Sequence, residues 1–189
     1  MKAIKIPQLF ALSVVLFLAQ FTLAQKNYHL KENPELKVEG TSTLHDWEMV
    51  SNEAEGTGHF TVESHKISAI NNVKVTMKAK SLKSGKSSMD NNTYEALKAE
   101  DHPVITFQLS ELISATENTL KASGSMTIAG ETRKVTFHCE YEIKGNEIVL
   151  KGETAFQLTD FNIEPPTAVF GTITTGNDVT ISFDVIFLS

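Results

Sequence analysis

The strongest constraint on the fold is an alternation of apolar and polar residues on both sides of a short break. Across residues 120–128 every second side chain is apolar or small, and the residues between them are mostly polar or charged. The alternation resumes over residues 135–143, after a break centred on Ala129, Gly130 and Glu131. Because successive side chains of a strand point to opposite faces, this pattern predicts an antiparallel hairpin with one solvated and one apolar face.

The apolar face of this hairpin is uneven. Its first strand contributes the small residues Ala122 and Gly124, whereas its second strand contributes the bulky Phe137 and Tyr141. A packed core would have to fill the space beside Gly124 from another element, whereas a barrel with a ligand inside could leave that space open. An ordinary sandwich core with a close backbone approach at Gly124 is the alternative.

The same alternation recurs along most of the chain and predicts further strands. They cover residues 36–42, which continue past a bend over 44–50, and residues 56–63, 67–70, 73–79, 104–109, 148–158 and 179–187. We therefore expect an all-β, antiparallel fold of about eight or nine strands, closed as a barrel or folded as a sandwich. At that number a closed sheet has room for its own side chains or for one small ligand.

One segment has a different period. Asp90, Asn91 and Asn92 predict the cap of a short helix over residues 93–99, which must end before Pro103. One short helix cannot organise a domain of this size. We expect it to plug one end of the sheet or to lie across it, with Tyr94 and Leu97 turned inward.

The amino terminus predicts export. Two lysines precede an apolar run over residues 9–19, and small residues lead to a cleavage point between Ala24 and Gln25. The run is shorter than the roughly 20 residues that a membrane span needs. We expect a signal peptide over residues 1–24 and a periplasmic or secreted domain over 25–189.

Charge and cysteine content exclude several classes of partner. The formal net charge is −6 and becomes −8 if Lys2 and Lys5 leave with the leader, which disfavours binding to nucleic acid or anionic membranes. Cys139 is the only cysteine, so it cannot form an internal disulfide, and its place on the apolar face indicates a buried small hydrophobe.

No motif predicts a metal, a cofactor or catalysis. The six histidines lack metal-ligand spacing, and no nucleophile elbow, P-loop or dinucleotide fingerprint is present. His45, Asp46 and Trp47 combine an imidazole, a carboxylate and an indole at a predicted strand bend. Adjacent strand residues point to opposite faces, which favours a structural role or a place at a pocket rim over catalysis.

Five segments, taken together and in order, are similar to one known family. They are Val38-x-Gly40-x-Ser42-x-Leu44-His45-x-Trp47, Lys80-Ser81-Leu82, Leu97-Lys98-x-x-Asp101-x-Pro103-x-Ile105-x-Phe107, Gly124-Ser125-Met126-Thr127-Ile128-x-Gly130-x-Thr132 and Leu158-Thr159-Asp160-Phe161. The chain resembles the YceI-like proteins, which are bacterial exported domains. The resemblance implies a lipocalin-like antiparallel barrel of about eight strands around an apolar tunnel. It also implies an apolar lipid ligand, a polyisoprenoid or isoprenoid quinone, and no established catalytic activity.

These expectations give a list of candidate site residues on the apolar faces, for each of which plain core packing is the alternative. The predicted ligand-binding residues are Val75, Met77, Phe107, Leu109, Ala122, Gly124, Met126, Phe137, Tyr141, Leu150, Phe156, Ile181, Phe183 and Val185. The predicted rim residues are His45, Trp47, Lys86 and Asp90. Many family members carry an Arg-Asp pair where this chain has Met89-Asp90, so a cationic head-group contact is missing there, and Lys86 is the nearby substitute.

We therefore expect an exported carrier or sequestering protein that holds an isoprenoid-type chain by apolar burial, at roughly 25 cal/mol per Å². Two alternatives remain open at this point. One is a small outer-membrane β-barrel, in which the charged strand faces would line a narrow lumen. The other is an enzyme that uses His45 and Asp46 at the barrel mouth. The sequence also leaves open whether the chain forms a homodimer.

Overall fold

The alternating segments form strands throughout residues 26–189, which are the residues described by this computed structural model. The predicted signal peptide lies outside the described residues. The strands are β1 (Lys26–Leu30), β2 (Glu35–Ser42), β3 (Trp47–Ser51), β4 (Ala54–Glu63), β5 (Lys66–Lys78), β6 (Val104–Ala115), β7 (Thr119–Ile128), β8 (Glu131–Lys144), β9 (Glu147–Gln157), β10 (Thr167–Ala168) and β11 (Ile173–Leu188). The helix α1 spans Ser87–Ala96, and single turns of 3₁₀ helix cover Ala79–Ser81 and Leu158–Phe161.

Eight of these strands close into a ring of antiparallel pairs. The order is β1-β4-β5-β6-β7-β8-β9-β11, and β11 returns to β1 through His29 opposite Leu188. Along the rest of its length β11 pairs with β2, with Phe183 opposite Leu36, and β2 pairs in turn with β3. The predicted fold class, a lipocalin-like antiparallel barrel of about eight strands with one helix, is confirmed.

The two ends of the barrel differ in what covers them. The first end, called the closed end below, carries the hairpin turns between β4 and β5, β6 and β7, and β8 and β9. The second end, called the open end, carries α1, the turn between β2 and β3, and the segment 158–172 that leads through β10 to β11. The strands run between the two ends, so each strand contributes side chains to both.

The closed end is filled by the protein's own side chains. Ile67 and Ile148 are completely buried there. The Phe60 ring packs at 5.2 Å between centroids against both Tyr28 and Phe187. Rings at this spacing and in tilted or edge-on orientations pack favourably beyond the area that they bury. The apolar core is therefore continuous across this end.

The helix begins six residues earlier than the sequence pattern predicts. Asp90 does not cap it. Its carboxylate instead accepts hydrogen bonds from the backbone N–H of Ser84 (2.8 Å) and from the Ser84 hydroxyl (2.7 Å). Asp90 thus holds the preceding loop from within the first turn of the helix. The helix spans Ser87–Ala96 rather than residues 93–99.

Helix α1 covers the gap between β3 and the chain that follows β5. The Thr93 hydroxyl donates to Met49 Sδ at 3.0 Å, and the Tyr94 hydroxyl donates to the Leu82 carbonyl at 2.8 Å. The expectation that the helix plugs one end of the sheet matches this placement. Within residues 26–189, no helix has the length and apolar character needed to cross a bilayer.

Other boundaries also differ from the sequence pattern: β3 begins at Trp47, and β6 and β11 are longer than predicted. The predicted strands 67–70 and 73–79 form the single strand β5, which absorbs the break by placing Asn72 in the left-handed region (φ 53°). Asparagine tolerates this conformation better than most residues, so the strand continues through it. The segment 160–170, which lies outside the predicted strands, contains the short strand β10.

Candidate ligand-binding cavity

The barrel encloses a cavity of about 460 Å³ that reaches from the open end toward the closed end. Phe60, Leu120 and Phe187 form its floor, above the packed residues of the closed end. Residues of α1, of the β2–β3 turn and of the segment 163–175 surround its mouth. A volume of this size lies within the range of small-molecule pockets. The void expected from the sequence is therefore present.

The structure brings most of the predicted ligand-binding residues together on this cavity. Those that line it are Val75, Met77, Phe107, Leu109, Ala122, Met126, Phe137, Leu150, Phe156, Ile181, Phe183 and Val185. They come from six strands of the ring, so their convergence depends on the pairing register rather than on nearness in sequence. Only Gly124 and Tyr141 of the predicted set lie elsewhere.

Gly124 does not face open space, contrary to the sequence-based hypothesis. A Cβ atom at this position would lie 2.5 Å from the Phe107 ring and 2.4 Å from the Gln108 carbonyl oxygen. The missing side chain therefore makes room for a ring from β6 and not for a ligand. The alternative reading, a close approach at Gly124, is the correct one.

A second glycine, on β9, also makes room for an aromatic ring. Gly152 lies beneath the Phe183 ring and Cys139 Sγ, which a Cβ would approach at 2.6 and 2.7 Å. Phe137, between the two glycines, packs edge-on at 5.4 Å against both Phe107 and Phe183. Three rings thus form one continuous wall of the cavity over the backbones of β7 and β9.

Tyr141 lies at the closed end and is bound there by its hydroxyl. The hydroxyl donates to the Thr116 carbonyl at 2.7 Å and accepts from the Ile67 backbone N–H at 3.1 Å. A buried tyrosine hydroxyl needs such partners, and here they join three chain segments. The residue closes the barrel and does not line the cavity.

Three of the four predicted rim residues lie on the cavity lining: His45, Trp47 and Lys86. The Trp47 indole covers Gly40, and its N–H donates to the Thr41 carbonyl at 2.9 Å. Asp90 is not part of the lining, because its carboxylate is turned toward Ser84. It stabilises the loop in front of α1 instead.

His45 and Asp46 do not form a catalytic pair in this geometry. His45 Nδ1 lies 2.6 Å from the backbone carbonyl oxygen of Asp46 and binds that atom rather than the carboxylate. Both side chains are exposed. A base oriented by a carboxylate would need the side-chain oxygen within hydrogen-bond reach of the ring, and here that oxygen is not the partner.

The electrostatics of the cavity favour an uncharged guest. No aspartate or glutamate of residues 26–189 belongs to its lining, and the lysines on it are Lys37 and Lys86. Lys37 is paired with Glu39 at 3.2 Å, and this neighbour raises the pKa of the ammonium. Burial in the apolar interior raises the pKa of Cys139 to about 12, so the thiol stays protonated. Among the described residues, no group of three or more His, Cys, Asp or Glu side chains could hold a metal ion.

The sequence pattern missed several lining residues. They include Leu36, Val38, Met49, Leu82, Ile105, Ile163 and Ile173. Leu36 and Val38 alternate with the charged residues Lys37 and Glu39. This alternation was enough to predict that Leu36 and Val38 face the barrel interior. Leu82 and Ile163 lie outside regular strands, so no period marks them.

Comparisons with solved structures place the barrel among known folds. It is similar to BcnA of Burkholderia cenocepacia, with a TM-score of 0.68 and 17% identity over 81% of this chain and 95% of that one. It is also similar to a polyisoprenoid-binding domain from Saccharophagus degradans implicated in plant cell wall breakdown (TM-score 0.65, 11% identity, 86% and 98% coverage). A third similar structure is the YceI protein of Campylobacter jejuni (TM-score 0.62, 18% identity, 74% and 82% coverage).

A search of curated proteins gave no match. The family model of the YceI-like domain, by contrast, matches residues 28–187, which is nearly all of the described chain. The eight-stranded ring, the single short helix and the apolar cavity agree with that match. The chain belongs to the YceI-like domain family.

Proposed function

We propose that this protein binds the apolar chain of an isoprenoid-type lipid in the barrel interior and acts as an exported carrier or sequestering protein. The observation that carries the proposal is the apolar cavity of about 460 Å³, which is lined from all sides of the barrel and bounded by a packed floor. Family membership and the polyisoprenoid-binding domain among similar structures support an apolar lipid at the level of ligand class.

Apolar burial supplies the affinity in this proposal. Each methylene moved from water into the cavity contributes about 0.8 kcal/mol, or roughly a fourfold gain in affinity. Half-buried side chains such as Val38, Met77 and Ile181 line the cavity and gain contacts when a chain enters. A long apolar chain therefore binds without a specific polar partner along its length.

The polar end of the ligand would remain at the mouth. Lys86, Ser88, Asn92 and Thr93 lie there on one side of the lining, on α1 and the residue before it. Lys86 is exposed and forms no ion pair within residues 26–189. Its ammonium and the neighbouring hydroxyl and amide groups suit a carbonyl or hydroxyl head group, which needs donors more than a counter-charge.

Export completes the proposal and rests on the leader sequence alone. Cleavage between Ala24 and Gln25 would release a domain that begins just before β1. Mass measurement of the protein recovered from the exported fraction tests this point. A chain that starts at Gln25 supports it, and a chain that retains residues 1–24 contradicts it.

The two alternatives have weaker support. Charged residues such as Lys74, Glu140 and Lys151 are exposed on the outer face of the barrel, where a membrane-spanning barrel would carry apolar residues facing lipid. An enzyme centred on His45 lacks the carboxylate partner. The YceI-like family is a binding-protein fold, and we propose binding without catalysis.

Extraction and loading test the proposed function. Protein purified from its host is extracted with organic solvent, and the extract is analysed by mass spectrometry. In parallel, the delipidated protein is loaded with a prenol in solution. The proposal expects a stoichiometric prenyl lipid in the extract or after loading. Repeated failure of both contradicts it.

A matched pair of variants locates the ligand. Ile181→Trp puts a large ring into the cavity, whereas Ser182→Trp adds the same ring one residue away on the outer face of β11. Loading should fall at least tenfold in Ile181→Trp and stay unchanged in Ser182→Trp. Equal loading by both variants would place the ligand outside the barrel.

A further inference from the structure

The rim of the cavity mouth carries three strongly exposed apolar side chains. Leu44, Val169 and Phe170 are 65%, 61% and 109% exposed. Leu44 lies in the β2–β3 turn, and the other two form the tip of the turn between β10 and β11. At this exposure the Phe170 side chain packs against no other residue of the described range 26–189. Such residues mark interaction surfaces when they occur together.

The two turns are joined into one surface. The Thr43 backbone N–H donates to the Thr174 carbonyl at 3.0 Å, and the Thr174 N–H donates to the Thr43 hydroxyl at 3.1 Å. Because Leu44 directly follows Thr43, it lies beside the base of the β10–β11 turn. We call Leu44, Val169 and Phe170 the apolar tip.

The backbone holds Phe170 outward in an unfavourable conformation. Val169 and Phe170 have φ values of 50° and 54°, and Gly171 follows with 85°. The left-handed region is unfavourable for a non-glycine residue, and for a β-branched residue it is rare. The turn is closed by hydrogen bonds to the Val169 carbonyl from the Thr172 N–H (3.2 Å) and hydroxyl (2.7 Å). The unfavourable conformation therefore falls on two of the three residues that are strongly exposed at the rim.

The β10–β11 turn and the stretch of chain that leads to Leu44 carry no charge, and the nearest acidic residue after Leu44 is Asp46. No residue between Glu164 and Asp178 is charged, and residues 40–44 are likewise uncharged. About one residue in five of the whole chain is charged, so these two stretches are poorer in charge than the chain as a whole. If the apolar tip bound another protein, charged residues near it would be expected to steer the encounter. An uncharged surface is better suited to contact with hydrocarbon.

The apolar tip is continuous with the cavity. Leu44 itself and the neighbours of the tip, Ala168 and Ile173, line the mouth. We propose that the apolar tip inserts into the surface of a lipid bilayer, so that the cavity mouth faces the membrane and an apolar chain moves between the two without crossing water. This proposal rests on the proposed function for its cargo, but the docking step is measured without any cargo.

Vesicle binding tests the docking step directly. Delipidated protein is mixed with phosphatidylcholine vesicles that contain no prenyl lipid, and the bound fraction is measured by flotation. Phe170→Ser should lower the partition coefficient at least tenfold. Ile113→Ser, which removes an exposed side chain from β6 near the closed end, should leave it unchanged. Equal binding by wild type and Phe170→Ser would overturn the proposal, as would no binding by either.

A second readout keeps the test independent of folding. Phe170→Trp and Ile113→Trp each add an indole, and the native Trp47 is common to both. Vesicles should shift the emission of Phe170→Trp to the blue and leave that of Ile113→Trp unchanged, because tryptophan enters the bilayer interface. If the wild type forms a dimer without vesicles and Phe170→Ser does not, the apolar tip binds a second copy of the chain. That result would overturn the proposal of bilayer insertion.

The two proposals fail separately. Phe170→Ser should still load a soluble short prenol as well as wild type does, and should take up a prenol from vesicles at least tenfold more slowly. Vesicle binding without any prenol loading would refute the proposed cargo and keep the docking surface. Loading without vesicle binding would refute the docking surface and keep the cargo.

Discussion

The two ends of the barrel are built from the same strands and are packed in opposite ways. At the closed end, Ile67 and Ile148 are fully buried and the Tyr141 hydroxyl joins three segments. At the open end, isoleucines of the same kind of inward-facing strand position, such as Ile105 and Ile173, are only half-buried because they face the cavity. The closed end therefore supplies stability, and the open end supplies the binding surface.

This difference shows how a small barrel keeps an interior void. Core residues are normally packed at crystal-like density, and a void removes contacts from its lining. Here the void is bordered below by the Phe60 cluster and on one side by the rings of Phe107, Phe137 and Phe183. Dense packing around its boundary maintains the shape of the cavity.

The largest effect is expected on the free energy of unfolding, when the same substitution is made at the closed end and at the open end. Ile67→Ala should lower the free energy of unfolding by about 2–5 kcal/mol, because it removes buried methyl groups from a site that cannot collapse. Ile173→Ala should cost about 1 kcal/mol or less, since its side chain already borders empty space. Denaturant unfolding of both variants measures the contrast. Equal costs at the two positions would contradict the division between the ends.

The second prediction concerns the polar contacts that hold the open end together. Asp90→Ala should cost about 1–3 kcal/mol at neutral pH, because Ser84 loses the acceptor for both its N–H and its hydroxyl. Those hydrogen bonds lower the pKa of the Asp90 carboxyl below its ordinary value. The stabilisation is therefore complete above the ordinary pKa and is lost as the pH falls through the lowered one.

Unfolding measured as a function of pH checks this sign. Wild type and Asp90→Ala should differ by a constant amount from neutral pH down to about pH 4 and converge only at more acidic pH. Ser84→Ala retains the backbone donor and should show a smaller loss. A difference between wild type and Asp90→Ala that grows on acidification would contradict the assignment.

The third prediction tests the apolar character of the cavity midway between the two ends. Burial raises the pKa of Cys139 to about 12, and the thiolate is the reactive form. Between pH 7 and 9, iodoacetamide should therefore alkylate the folded protein at least tenfold more slowly than the protein in urea. Labelling at the same rate in both states would indicate a wet, polar interior.

Sequence reasoning succeeded where local alternation carries the information. The strands 120–128 and 135–143 and their apolar faces follow from a period of two. Twelve of the fourteen proposed lining residues face the cavity for the same reason. Their binding of a ligand stays a prediction. The strand number allowed either a barrel or a sandwich, and the closed barrel was implied by the family resemblance.

Sequence reasoning failed where a contact joins distant segments. The ring that fills the space beside Gly124 comes from Phe107, and only the register between β6 and β7 brings the two together. Aspartate is a residue type typical of helix N-caps, but Asp90 instead accepts a hydrogen bond from Ser84 in the loop six residues earlier. The exposure of Phe170 could not be predicted either, because an apolar residue in a Pro-rich segment has no period to assign its side.

The most direct test of the central claim is the affinity of the delipidated protein for a series of linear alcohols of increasing chain length, measured by calorimetry. A cavity open at one end and closed by the Phe60 floor predicts that affinity rises about fourfold with each methylene. The rise should stop once the chain reaches the floor, and that length should be shorter in Ile181→Trp. An affinity that does not depend on chain length, or that rises without a plateau in both proteins, would contradict a bounded apolar cavity as the binding site.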